Sequence, residues 1–294
     1  MQVTDPLTRR VFLGGAAVGA AALLGPRATA APSEAEARRA INLAGRQRML
    51  SQRMARATFF TRLGIEPSRH LEMVAAASAL FDETLAGLEN GSDPLGLATE
   101  ASPRMLEGIA GVKDVWEVMQ PATVEIAETG AVSDASFETI AANNVSLLFT
   151  SDNVVDQLVS VHGTRTGNQG LAAAINIAGR QRMLSQKMAK EAALIGLGLG
   201  VTENPRNLRD SALLFDQSLT VLIEGEDRLG IPAAPDFIRI KLLEVRSIWG
   251  GYGEIMQGIV AGAEVDRLAQ ISIAAQADPL LVTMNEAVGL YEVV

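Results

Sequence analysis

The chain of 294 residues is 48% hydrophobic, 20% charged and only 4% aromatic, with a formal net charge of −9 at pH 7. That length fits two domains, each with enough apolar material for its own core. The absence of cysteine excludes a disulfide scaffold, a thiolate metal site and a cysteine nucleophile, and the negative field disfavours nucleic acid and acidic membrane surfaces as partners.

Thr8-Arg9-Arg10-Val11-Phe12-Leu13 is a twin-arginine motif. A weakly hydrophobic run from Gly14 to Gly25 follows it, and Ala28-Thr29-Ala30 places small residues where a signal peptidase cuts. The run is too short and too rich in Gly and Ala to span a membrane stably, and no cysteine follows it to carry a lipid. Residues 1–30 therefore read as a twin-arginine signal peptide, cleaved near Ala30 to release a soluble periplasmic protein; retention as an uncleaved anchor is the alternative. Cleavage removes Arg9, Arg10 and Arg27 along with Asp5, which moves the net charge from −9 to −11. An anion bound to the remainder needs a locally concentrated positive site.

From residue 31 onward, the apolar spacing and the start and stop signals are helical. The first repeat, 31–163, parses into stretches near 34–64, 67–91, 102–129 and 133–162. Gly64-Ile65-Glu66-Pro67, Asn90-Gly91-Ser92-Asp93-Pro94 and Gly130 make the breaks, and Ser33, Ser102 and Ser133 open helices. The link His162-Gly163-Thr164-Arg165-Thr166-Gly167-Asn168 is short enough for a helix to run through it. The second repeat, 169–294, parses into stretches near 169–200, 204–226, 234–262 and 265–293. Helices of this length joined by short turns predict an all-α protein of two tandem up-down four-helix bundles, each roughly 40 Å long.

The duplication is explicit in the residues. Ile41 to Ala55 reads INLAGRQRMLSQRMA and Ile175 to Ala189 reads INIAGRQRMLSQKMA, thirteen of fifteen positions identical at an offset of 134. Leu80-Phe81-Asp82 meets Leu214-Phe215-Asp216 at the same offset, and Trp116 meets Trp249 after a slip of one residue. Such a period is far too long for a solenoid unit.

On a helical wheel, Leu43, Leu50 and Met54 form a core stripe. Ile41, Ala44, Gly45, Arg48, Gln52 and Ala55 share the opposite side, and Asn42, Arg46, Met49 and Arg53 fill a flank. Small residues around Arg48 let another backbone approach closely, and a mid-helix glycine at 45 costs about 1 kcal/mol relative to Ala, which calls for a packing or ligand reason. The second box repeats this with Ala178, Gly179, Arg182, Gln186 and Ala189, although Lys187 replaces Arg53. Two such faces predict a pseudo-twofold intramolecular dimer in which Arg48 confronts Arg182. At about 7 Å and an effective dielectric near 20, two guanidiniums repel by roughly 2 kcal/mol. A bound monovalent anion reverses that sign by accepting forked hydrogen bonds from both.

At these residues the chain resembles the P-box of nitrate/nitrite sensor kinases of the NarX/NarQ type. It is closer still to the N-terminal domain of type IV pili methyl-accepting chemotaxis transducers, the PilJ type, which shares a four-helix bundle with an A-G-x-x-R-M-x-S-x-R/K box on its first helix. In the nitrate sensors the box arginine of each of two bundles holds one nitrate at the twofold axis. The resemblance implies that Arg48 and Arg182 bind nitrate or nitrite, that Gly45 and Gly179 give the anion room, and that Met49, Met183, Ser51 and Ser185 support them. It also implies a membrane sensor kinase, chemoreceptor or transporter as partner. The sensors carry membrane-spanning helices and a signalling module that this sequence lacks, so one chain is expected to hold a complete site and to report through another protein.

Other readings stand beside this one. Arg48 and Arg182 can instead pair with carboxylates on neighbouring helices in a ligand-free interaction module, or the chain can serve nitrate or nitrite transport or respiration as an accessory. Arg46 and Arg180 read as solvated or ion-paired. The methionines and the two tryptophans read as core, and Asp82 and Asp216 as residues that orient a box arginine or cap nothing in particular. His70 and His162 read as ordinary packing or surface residues. No nucleophile–base pair, metal spacing, phosphate loop or cofactor ligand set is visible, so no enzyme, metal or cofactor is expected.

Overall fold

The computed structural model describes residues 32–166 and 168–294, with the backbone alone for 162–166. The twin-arginine segment, its cleavage site and the His162 side chain lie outside the described residues. The described chain is all-helical: α1 Glu34–Arg62, α2 Pro67–Asn90, α3 Pro103–Thr129, α4 Asp134–Thr166, α5 Gln169–Gly196, α6 Glu203–Glu224, α7 Asp236–Val260 and α8 Arg267–Glu292, with a 3₁₀ turn at Asp227–Leu229.

The starts follow from local chemistry. Ser33 caps α1 through a capping box with Glu36, Ser133 Oγ accepts from Ser136 N at the head of α4, and Asp266 accepts from Ala269 N at the head of α8. The fourth helix runs on to Thr166, past the expected end at 162, because an internal glycine such as Gly163 weakens a helix by only about 1 kcal/mol. Asn168 then caps α5 by accepting from Leu171 N at 3.1 Å. Two residues therefore separate the last helix of one bundle from the first of the next.

The duplication extends into the loops. After α2 and α6, Ser92 bridges Leu97 and Glu226 bridges Ile231 in antiparallel fashion. The turns begin at Gly91 and Gly225, with φ of 79° and 81°, where an added β-carbon would strike Thr99 N at 2.8 Å and Ala233 N at 2.6 Å. The slip of one residue falls just beyond these bridges, since α3 and α7 start 133 residues apart. In each bundle a phenylalanine of the second helix tilts against the tryptophan of the third, Phe81–Trp116 at 4.5 Å and Phe215–Trp249 at 4.4 Å.

In the first bundle α1 packs against α2 and α4, and in the second α5 packs against α6 and α8. The two bundles join chiefly through α1 on α5, with α4 also against α5 and α8 against α1. Both first helices are consequently covered on all sides. From Ile41 to Phe60, α1 buries every residue except Arg46 and Arg53. A helix with four arginines, two glutamines and a serine in that stretch is the innermost element of its bundle. Burying those groups is unfavourable unless each finds a hydrogen bond, so their partners show what the interface is for. Among the described residues no helix is long and apolar enough to cross a membrane.

Candidate functional site

The site lies where α1 crosses α5. Gly45 faces Gly179: a β-carbon added to Gly45 would come within 3.8 Å of the Gly179 Cα, and the reverse substitution within 3.9 Å of the Gly45 Cα. Both box arginines reach this crossing. The hypothetical β-carbon of Gly45 would meet Arg48 Nη2 at 3.2 Å and Arg182 Nη2 at 3.4 Å, and that of Gly179 would meet the same atoms at 3.1 and 3.4 Å. The glycines bring the backbones together and leave their side-chain space to two guanidiniums.

Each arginine extends across the interface into the other repeat. Arg48 Nη2 donates to Asn176 O at 3.2 Å, and Arg182 Nη2 donates to Asn42 O at 3.0 Å, an exchange related by the same offset of 134. Arg48 is fully buried and Arg182 is 3% exposed, and neither Nε has a partner. Around them the boxes match closely. Gln47 and Gln181 donate to Phe81 O and Phe215 O at 2.9 and 2.8 Å. Ser51 and Ser185 donate back to the carbonyls of Arg48 and Arg182 at 2.8 and 2.7 Å. Gln52 and Gln186 each donate to the neighbouring serine at 3.2 Å and to a carbonyl of α4 or α8. The serines therefore fix the helix backbone beneath each arginine and do not touch the guanidinium. Met49 and Met183 are buried in the apolar core.

The symmetry fails in the charges. Arg48 Nη1 donates to Asp152 Oδ1 at 2.6 Å and to Asn176 Oδ1 at 2.8 Å. The equivalent donor, Arg182 Nη1, meets the amide oxygen of Asn285 at 3.0 Å, and among the described residues Arg182 has no ion pair. Of the two buried cations, Arg48 alone is paired with a carboxylate. Burial, and then the nearby charge of Arg48, pull Arg182 down to about 9. Burial also lowers Arg48, with Asp152 opposing. Pairing with a neighbouring carboxylate, one of the readings open from sequence, describes Arg48 and not Arg182. On the flanks, Arg180 lies 3.7 Å from Asp152 and 4.0 Å from Asp156, and Arg46 donates to Thr84 Oγ1 at 2.6 Å.

Asp82 and Asp216 do not orient the arginines. They accept from the indole nitrogens of Trp116 and Trp249 at 2.6 and 3.1 Å, because the second helix faces the third at that level. Sequence reasoning also missed a second polar layer one residue past the quoted box. Arg56, fully buried, donates to Gln186 Oε1 and Asp278 Oδ1 at 2.7 Å each and to Ala274 O at 3.0 Å. Its counterpart Lys190 donates to Asn144 Oδ1 at 3.0 Å, and burial lowers it to about 8. Arg53 and Arg69 join Arg56 on Asp278. The signal was there, since positions 52, 55 and 56 continue the interface stripe. Among the described residues no group of three or more His, Cys, Asp or Glu is placed to hold a metal ion.

A family profile described as "Type IV pili methyl-accepting chemotaxis transducer N-term" matches residues 31–138 and again 164–272, both boxes included. The chain is 36% identical over 91 residues to "Methyl-accepting chemotaxis protein McpN" of Pseudomonas aeruginosa. That stretch covers 30% of this chain and 16% of that protein. No solved structure matches the chain.

Proposed function

The chain belongs to the PilJ family, the N-terminal domains of type IV pili methyl-accepting chemotaxis transducers, in two tandem copies, and on that premise we propose that it senses a small monovalent oxyanion, nitrate or nitrite, held between Arg48 and Arg182. One observation carries this reading. Two buried guanidiniums converge on a glycine–glycine crossing, and among the described residues Arg48 alone of the two has a paired carboxylate, Asp152, which leaves positive charge in a place where burying it is costly. A planar anion accepting from both arginines offsets that cost and suits the forked donor geometry.

In this reading residues 31–163 and 169–294 are the two sensing repeats, and Gly45 and Gly179 leave room beside the backbone. Ser51, Ser185, Met49 and Met183 hold the arginines' helices in place. The twin-arginine segment, residues 1–30, delivers the folded protein to the periplasm. Bound anion favours the closed pairing of α1 and α5, and a membrane signalling partner reads that state. Because the match to the chemotaxis relative covers a small part of it, the identity of the partner rests on family alone.

Isothermal titration of the purified chain with nitrate, nitrite and chloride tests the assignment, with Arg48→Ala and Arg182→Ala as controls and circular dichroism to follow helicity. Micromolar binding, about 8 kcal/mol, is expected in the native chain and is lost in each variant while helicity stays. Unchanged affinity in the double variant removes the anion site and leaves a helical interaction module in which the arginines only stitch two bundles together.

A further inference from the structure

The pseudo-symmetry that builds the site breaks at one position that decides its charge. Position 152 on α4 and position 285 on α8 are equivalent by the same offset of 133 that relates α3 to α7. Each meets the Nη1 of its own repeat's box arginine, one as Asp and the other as Asn. The carboxylate of Asp152 is 34% exposed and its arginine fully buried, so the negative charge enters from the solvent edge and leaves the crossing itself to the guanidiniums. Flanking charges offset one another: Arg180 lies 3.7 Å from Asp152 and 4.0 Å from Asp156, which brings the second carboxylate with it, and Arg39 lies 2.9 Å from Glu292. Arg46 is left near Glu83 and Glu292. The inner shell is then two guanidiniums and one carboxylate, one positive charge in all.

Building on the anion-site reading above, we infer that Asp152, unmatched at Asn285, sets the site's charge to one and so makes it selective for monovalent anions against divalent ones such as sulfate. A divalent anion overcompensates the site and meets the Asp152 carboxylate as a like charge beside fully buried Arg48. A monovalent anion closes the charge balance with Asp152 in place. Swapping the two residue types moves the balance in opposite directions. Asp152→Asn leaves two uncompensated guanidiniums, which a dianion neutralises best. Asn285→Asp gives each arginine its own carboxylate, so no anion is needed.

Titration of the native chain, D152N and N285D with sodium nitrate and with sodium sulfate tests this. The native chain is expected to bind nitrate and to bind sulfate at least tenfold more weakly, on the order of one unit charge at close range. In D152N the sulfate-to-nitrate affinity ratio rises roughly tenfold or more, and in N285D nitrate affinity falls by roughly the same factor. N285D adds a counter-charge to a buried cation, so it reports even where D152N fails to fold. A native chain that binds neither anion overturns the reading of the site itself. Nitrate binding by the native chain, with the ratio unchanged in D152N and affinity unchanged in N285D, overturns the role of Asp152 alone; so does native binding of sulfate as tight as nitrate.

Discussion

At the scale of single residues, the two box arginines look interchangeable in sequence and differ in what holds them. Arg48 is tied to Asp152 and Asn176, whereas Arg182 is buried against neutral oxygens and another cation. Replacing an uncompensated buried charge with an apolar side chain of similar length is often neutral or stabilising, whereas breaking a buried ion pair is destabilising. Arg182→Met is therefore expected to stabilise the anion-free chain by about 1 kcal/mol, since exposed Asn285 can turn to water. Arg48→Met is expected to cost about 1–2 kcal/mol, softened because Asp152 is partly exposed. Urea unfolding in buffer free of small oxyanions measures both, and equal effects of the same sign defeat the distinction. The arginines themselves were legible because they repeat in an identical box. Their unequal partners were not, since Asp152 lies 104 residues beyond Arg48 and matches Asn285 only after the one-residue slip in the loops is known.

At the scale of helices, the crossing of α1 on α5 was legible from small residues around a charged one. It was read as one face of each helix, and the structure buries nearly the whole circumference, because the fourth helix of each bundle also leans on the other bundle. Helix ends were placed within a few residues; the larger misses fall at 196–200 and 162–166, where glycine is a weak marker. The glycine pair makes a separable prediction. Gly45→Ala gains helix propensity of about 1 kcal/mol, and its β-carbon would sit 3.2 Å from Arg48 Nη2, the end of a side chain able to give by a few tenths of an ångström. Stability should stay within about 1 kcal/mol of the native chain, while nitrate affinity falls roughly tenfold as both guanidiniums are pushed off the crossing. Thermal melts paired with titration check this. Affinity unchanged beside an intact fold means that the anion does not use that space.

For the molecule as a whole, tandem duplication supplies two matched helices in one chain and then allows each copy to vary. The fold was legible in the repeat; the variation was not, because its meaning depends on which helices meet. At the layer beyond the box, the first copy brings Arg53, Arg56 and Arg69 onto Asp278, while the second surrounds Glu191 with Lys187 and Ser211. His70 belongs to the first cluster. It is fully buried, stacks on Phe60 at 5.3 Å, donates from Nδ1 to Glu66 O at 3.1 Å and has no partner for Nε2. Burial and then the charge of Arg56 lower it from 6.5 to about 4. Its neutral form is the one that folds, so the associated stability is present above pH 6.5 and lost as pH falls through about 4, about 3 kcal/mol over that window. Burial pushes Asp278 up, but Arg56 and Arg53 outweigh it and hold the carboxyl at about 2 against 3.8. Its contribution is present above pH 3.8 and lost only as pH falls toward 2. Acid unfolding should therefore show two adjoining losses, and His70→Phe, which keeps the stack on Phe60, should remove the upper one alone. Chemical denaturation from pH 7 to pH 3 measures the difference; a His70→Phe chain that still loses stability between pH 6.5 and 4 as the native chain does assigns that loss to another group.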